Sequence, residues 1–91
     1  MSKLIINADD FGLHSAINEG IIVGHTKGAI TSTSILASGA AFNEAVDMAK
    51  EYPKLGIGIH IALVGGIAPV SDPSEIPSLV TNEGVFVDNY I

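Results

Sequence analysis

Three short runs rich in β-branched and apolar residues, Lys3–Ala8 (KLIINA), Ala29–Ala37 (AITSTSILA) and Leu55–Leu63 (LGIGIHIAL), are separated by two stretches whose apolar residues keep a helical spacing. This alternation is the strongest constraint on the fold. Strand-like runs joined by helices build βαβ units around a parallel sheet. The first helix is predicted from Ser15, as its cap, to about Lys27, with Gly28 as its stop. Its inward side would carry Ala16, Ile17, Gly20, Ile21 and Val23. The second is marked by the stripe Phe42, Ala45, Val46, Ala49 and Tyr52, and Pro53 closes it.

After the third run the pattern changes. Residues Gly65–Pro77 (GGIAPVSDPSEIP) hold two adjacent glycines and three prolines, the signature of a long loop. A turn at Asn82-Glu83-Gly84 is expected between Leu79 and Val87. Three parallel strands leave two edges to be paired or covered. Hydrophobic residues make up 47% of the 91, high for a small isolated domain but suited to strands covered on both faces. The reading is an α/β chain, with residues 1–91 forming the N-terminal part of one larger sheet or barrel domain.

Charge and composition narrow the function. Ten acidic residues against four basic ones give a formal charge of −6, which offers no footprint for nucleic acid or an anionic membrane. The absence of cysteine removes disulfides and thiolate metal sites. Leu4-Ile5-Ile6 is too short for the core of a secretory signal, and no apolar run approaches a membrane span. A cytoplasmic protein is expected, and its oligomeric state is left open. Neither a P-loop nor a G-x-G-x-x-G element is present.

The chemistry gathers at strand ends, where parallel α/β folds place their functional groups. Asp9 and Asp10 stand in the segment Asn7-Ala8-Asp9-Asp10-Phe11-Gly12. Neighbours in a regular strand point to opposite faces, so both carboxylates reach one pocket only if the strand ends or twists there; Gly12 supplies backbone freedom. Capping or an Asx-turn is an equally good account of the pair taken alone. In the third run, Ile57, Ile59, Ile61 and Leu63 form a bulky face made to pack under helices. Gly56, Gly58 and Ala62 leave the other face nearly empty except for His60. An aspartate and a histidine from two strands of one sheet suit a divalent cation, with a third ligand still needed. His14 lies at the entrance of the first helix, and His25, in its last turn, suits the helix dipole. Ser32, Ser34 and Ser38 have no neighbouring base in sequence and are read as lining the sheet interior or hydrogen-bonding locally.

Four segments, NADDFG at Asn7–Gly12, NEGI with GAITSTSIL at Asn18–Ile21 and Gly28–Leu36, LGIGIHIAL at Leu55–Leu63, and PSLVTNEGVF at Pro77–Phe86, resemble the YdjC/ChbG family of carbohydrate deacetylases. The resemblance covers most of the chain. It implies a (β/α) barrel-like fold related to polysaccharide deacetylases, of which only the first three β/α units are present. It implies Asp10 and His60 as metal ligands and Asp9 as general base, with Asn18 and Thr31–Ser34 as support or pocket lining. The family's second metal-binding histidine falls on a later strand, beyond residue 91. The activity implied is removal of N-acetyl groups from small chitooligosaccharide-type sugars by metal-activated water. Mg²⁺ is the favoured cofactor and Zn²⁺ the alternative. Two other readings stand beside it: a different barrel hydrolase, such as a phosphoesterase or amidohydrolase, or an inactive module that associates through its sheet edges.

Overall fold

A computed structural model describes residues 2–69 and 71–88. The chain forms two compact units, Met1–His60 and Ile61–Ile91. The first contains strand β1 (Asn7–Phe11), helix α1 (Ser15–Lys27), strand β2 (Ser32–Ile35), helix α2 (Phe42–Glu51) and strand β3 (Gly56–Ile59). The strands form one sheet in the order β1-β2-β3, and both pairings are parallel. The expected alternation and parallel sheet are therefore present.

The core of this unit is Phe11, Ile21, Ile22, Ala45 and Leu55, with Ala8, Ile17, Ile30, Ile35, Met48, Ala49 and Tyr52 packed around it. Both helices thus bury their apolar residues against the sheet face that carries Ala8 and Phe11. His25, in the last turn of α1, lies 2.8 Å by Nδ1 from the Ile30 carbonyl and packs edge-on against Tyr52. The residue read as a partner of the helix dipole also joins the end of α1 to the approach to β2.

Several boundaries differ from the sequence reading. β1 starts at Asn7, not Lys3, and Leu4 and Ile5 are exposed. Thr31 explains the late start. Its Oγ1 takes the Ile6 amide proton at 3.0 Å, and its own N–H and that of Ser32 converge on the Ile6 carbonyl. Regular pairing begins only after this crossing. β2 and β3 are likewise shorter than the runs that predicted them.

Helix α1 spans the expected residues, but its cap is His14: extended backbone lets the imidazole Nδ1 accept the Ala16 N–H at 3.0 Å. Ser15 instead donates to Glu44 on α2. The buried side of α1 is Asn18, Ile21 and Ile22, while Ala16, Gly20 and Val23 are exposed. α1 packs on both the sheet and α2, which rotates the buried stripe away from the one expected.

The bulky face of the third run is also uncovered: Ile57, Ile59, Ile61 and Leu63 are 45%, 83%, 83% and 55% exposed. β3 is an edge strand, and no helix among the described residues packs over it as the sequence reading expected.

The second unit is mostly loop. The expected loop at 65–77 includes Val70, which lies outside the described residues. A short 3₁₀ turn, Pro73–Glu75, is capped by Asp72, whose carboxylate accepts the Ser74 N–H and hydroxyl. Those two bonds hold the Asp72 carboxyl below its ordinary value of 3.8. The predicted turn is present: the Gly84 N–H reaches the Thr81 carbonyl at 3.0 Å, and Val80 bridges Phe86 beyond it. Gly65 and Gly66 donate to the carbonyls of Val87 and Phe86. Beside this turn lies an open hollow of about 410 Å³, bordered by Gly66, Thr81, Asn82, Glu83, Val85, Phe86 and Asp88. Among the described residues no helix is long and apolar enough to cross a membrane.

Candidate active site

The pairing of β1 with β2 contains one irregularity, and it falls on the two aspartates. Ala8 pairs with Thr33 and Phe11 with Ile35, so Asp9 and Asp10 together stand opposite the single residue Ser34. Two residues against one is a β-bulge, a device that re-aims side chains and is rare between parallel strands. Its strain is taken by Asp10, whose φ of 72° makes it the sole non-glycine in the left-handed region among the described residues. Aspartate tolerates that region better than most side chains do.

The bulge has a direct consequence for side-chain direction. Ala8 and Phe11 both belong to the helix-covered face. Were the same residues paired one-to-one, with no bulge, Phe11 would alternate onto the opposite face and Asp10 into the core. With it, Phe11 is fully buried and both aspartates lie on the uncovered face. The expected twist therefore exists, and it sits at Asp10 itself. Gly12 follows with a φ of 97°, in a turn closed by the Leu13 N–H donating to the Asp10 carbonyl at 3.1 Å.

His60 reaches the same face by simple alternation. Gly56 and Gly58 are the register partners of Ser32 and Ser34, and the His60 N–H continues the ladder to the Ile35 carbonyl at 3.0 Å. Its Nδ1 lies 3.4 Å from Asp10 Oδ1. The pair is close enough for charge attraction if the imidazole is protonated, but it is not aligned as a hydrogen bond: Nδ1 is buried and unpartnered. A buried polar atom without a partner is costly, and one aimed beside a carboxylate suits an ion between them. An imidazole nitrogen and a carboxylate oxygen are also the right donors for a divalent cation. Among the described residues no group of three or more such side chains converges.

The rest of the face is polar. Ser32 donates to Asn7 Oδ1 at 2.7 Å, and Asn7 Nδ2 donates to Asp9 Oδ1 at 3.1 Å and to Ser34 Oγ at 3.2 Å. Ser32 and Ser34 do hydrogen-bond, but across the sheet to β1 and not locally. Asn7, which the sequence reading passed over, fixes one oxygen of Asp9. Its position two residues before Asp9, on the same strand face, was the available signal.

Behind the turn, Asn18 is completely buried. Its Oδ1 accepts the Gly12 N–H at 2.7 Å, and its Nδ2 donates to the Ala41 carbonyl and to Glu44 Oε1. The Ala41 N–H returns to the Gly12 carbonyl at 2.9 Å. Both polar groups of the Gly12 backbone are thereby held by the two helix starts.

The model of the family described as "YdjC-like protein" matches residues 3–91. A carbohydrate deacetylase of Brevibacillus brevis is 46% identical over 84 residues, covering 92% of this chain and 33% of the relative. One from Clostridium beijerinckii is 47% identical over 85 residues, covering 93% and 34%. Carbohydrate deacetylase 2 of Listeria innocua is 55% identical over 64 residues, covering 70% and 26%. A crystal structure from Enterococcus faecalis V583, of a protein whose suggested role is cellobiose-phosphate cleavage, superposes with a TM-score of 0.88 at 40% identity. That alignment covers 96% of this chain and 34% of the other. The chain spans about a third of the length of the curated relatives it matches. It belongs to the YdjC-like family.

Proposed function

We propose that these residues supply part of the active site of a metal-dependent carbohydrate deacetylase, which hydrolyses the N-acetyl amide of small N-acetylated, chitooligosaccharide-type sugars. The observation that carries this reading is the bulge that turns Asp9 and Asp10 to the face where His60 stands. The names of the relatives support the reaction class. Three parallel strands in chain order, with both helices on one face, support a (β/α) barrel as the complete fold.

In this reading Asp10 and His60 hold a divalent cation, Mg²⁺ by preference or Zn²⁺, with further ligands from outside this chain. When bound, such a cation contributes Lewis acidity toward the acetyl carbonyl and stabilises developing negative charge. Asp9 is the general base. Asn7 engages its Oδ1 and orients the carboxylate, which leaves Oδ2 to take the proton of the attacking water. Breaking the C–N bond then requires that proton on the departing amine, and in this reading Asp9 returns it. The acidic chain offers no footprint for nucleic acid or an anionic membrane, and in this reading the partner is a small sugar and the location the cytoplasm.

The test is a deacetylation assay on N-acetylated disaccharides with the whole protein, joined to a metal titration. Asp10→Asn and His60→Ala should lose both activity and metal affinity. Unchanged metal binding in those two variants would rule out the ligand assignment. Absence of acetate release by the wild type on any N-acetylated sugar would rule out the reaction.

A further inference from the structure

We infer that Asn18, held by Glu44, is a positioning residue that sets the backbone of the β1–α1 turn and through it the direction of Asp10. The inference rests on the reading of Asp10 and His60 as a metal pair, but its geometric part stands apart from it.

Asp10 occupies the left-handed region, which costs any residue with a Cβ some free energy even though aspartate tolerates it better than most. Its carbonyl is the acceptor of the turn whose third residue is Gly12. The only side chain that binds the Gly12 backbone among the described residues is Asn18, through the 2.7 Å bond to the Gly12 N–H. The amide nitrogen then spends both protons, one on the Ala41 carbonyl at 3.2 Å and one on Glu44 Oε1 at 3.1 Å. Glu44 is fixed in turn by the Ser15 hydroxyl at 2.9 Å. Ala41 closes the ring by donating to the Gly12 carbonyl.

Space is as restricted as hydrogen bonding. A methyl group on Gly12 would sit 3.1 Å from the Leu36 carbonyl oxygen and 3.3 Å from the Phe42 Cα, and one on Gly39 would collide with the Gly12 carbonyl. The turn is thus gripped from α1 and from the start of α2. A helix cap or a plain core amide would not need this connection to the strand that carries the carboxylates. Asparagine is required because one side chain must accept at Oδ1 and donate twice at Nδ2. Aspartate has the same shape but would oppose Glu44.

The experiment uses the whole protein and two kinds of readout. In a crystal structure of Asn18→Ala, Asp10 should leave the left-handed region and its carboxylate should withdraw from His60. Unchanged Asp10 backbone and an unchanged carboxylate–imidazole contact would overturn the proposal, whether or not the wild type binds metal. Titrations with Mg²⁺ alone and Zn²⁺ alone should show affinity reduced by about 10- to 100-fold, as for other residues that orient a ligand. If the wild type takes up neither ion, the metal reading fails and the structural readout alone decides the inference. If Asn18→Ala does not fold, Asn18→Asp and the double variant Asn18→Asp/Glu44→Gln replace it. The glutamine amide restores a donor toward the new carboxylate but not the bond to the Ala41 carbonyl, so the double variant should return Asp10 part of the way from the single variant's conformation toward the wild type's. A double variant no closer to wild type than the single one would also overturn the proposal.

Discussion

Asp10 stands on β1 and His60 directly after β3, two strands that do not pair. β1 and β3 are separated by β2, yet Asp10 Oδ1 and His60 Nδ1 approach to 3.4 Å. The contact is possible because Ser34 between them is small, because Gly58 puts no side chain beside it, and because the bulge lifts Asp10 toward the sheet's end.

That arrangement separates stability from function at one position. Glycine pays no steric cost at a φ of 72°, whereas the left-handed region costs an ordinary side chain roughly 1–2 kcal/mol. Asp10→Gly should therefore unfold at equal or higher urea concentration than wild type while losing its divalent metal affinity. Urea denaturation and a metal titration on the whole protein check the two halves.

The two aspartates should also differ in kind. Asp9 is bound by Asn7 and lies outside the Asp10–His60 contact. Asp9→Asn should lower kcat by about 10²-fold or more, the scale of general base catalysis, with metal affinity nearly unchanged. Asp10→Asn should lose both together. Steady-state kinetics beside calorimetric titration reads the split.

Thr33 is fully buried, and its hydroxyl donates to the Ala8 carbonyl at 2.6 Å, just before the bulge. Thr33→Val keeps the shape, removes the donor and leaves that carbonyl short of a partner. A loss of about 1–3 kcal/mol is expected, measured as a lower urea midpoint at constant slope.

In the second unit, Asp72 offers a local titration. The Ser74 N–H and hydroxyl favour its charged form, so its folded-state value lies below the ordinary 3.8. The support this gives the Pro73–Glu75 turn is present above 3.8 and disappears as pH falls through the lowered value. Ser74→Ala removes the hydroxyl bond and should move the Asp72 carboxyl, followed by NMR, back toward 3.8.

Much of the frame was legible because it depends on periodicity. The Phe42, Ala45 and Ala49 stripe marks α2, and the glycine alternation put His60 on the face where it meets Asp10. The aspartate pair was legible as chemistry, but the bulge that unites its faces was not, because it depends on how β1 pairs with a partner 25 residues away. Leu4, Ile5 and Ile6 misled for the same reason: local propensity favours a strand, while pairing starts only where Thr31 releases the backbone. Asn18 could not be placed among apolar candidates for the inner side of α1, since burying an amide is acceptable only when distant groups satisfy it. The exposed Ile59 and Ile61 show the converse, since a residue's preference for cover does not supply the element that covers it.

The bulge also bears on how β1 can change in length. Because two residues share one place in the pairing, deleting one of Asp9 and Asp10 would leave a plain ladder, with Ala8 still opposite Thr33, the remaining aspartate opposite Ser34 and Phe11 opposite Ile35. Phe11 would stay in the interior and Asn7 and Ala8 would keep their sides, since Ala8 and Phe11 would then stand two residues apart. Such a deletion costs one carboxylate and the bulge but not the register, so β1 should accept a change in count at this one place and nowhere else along it.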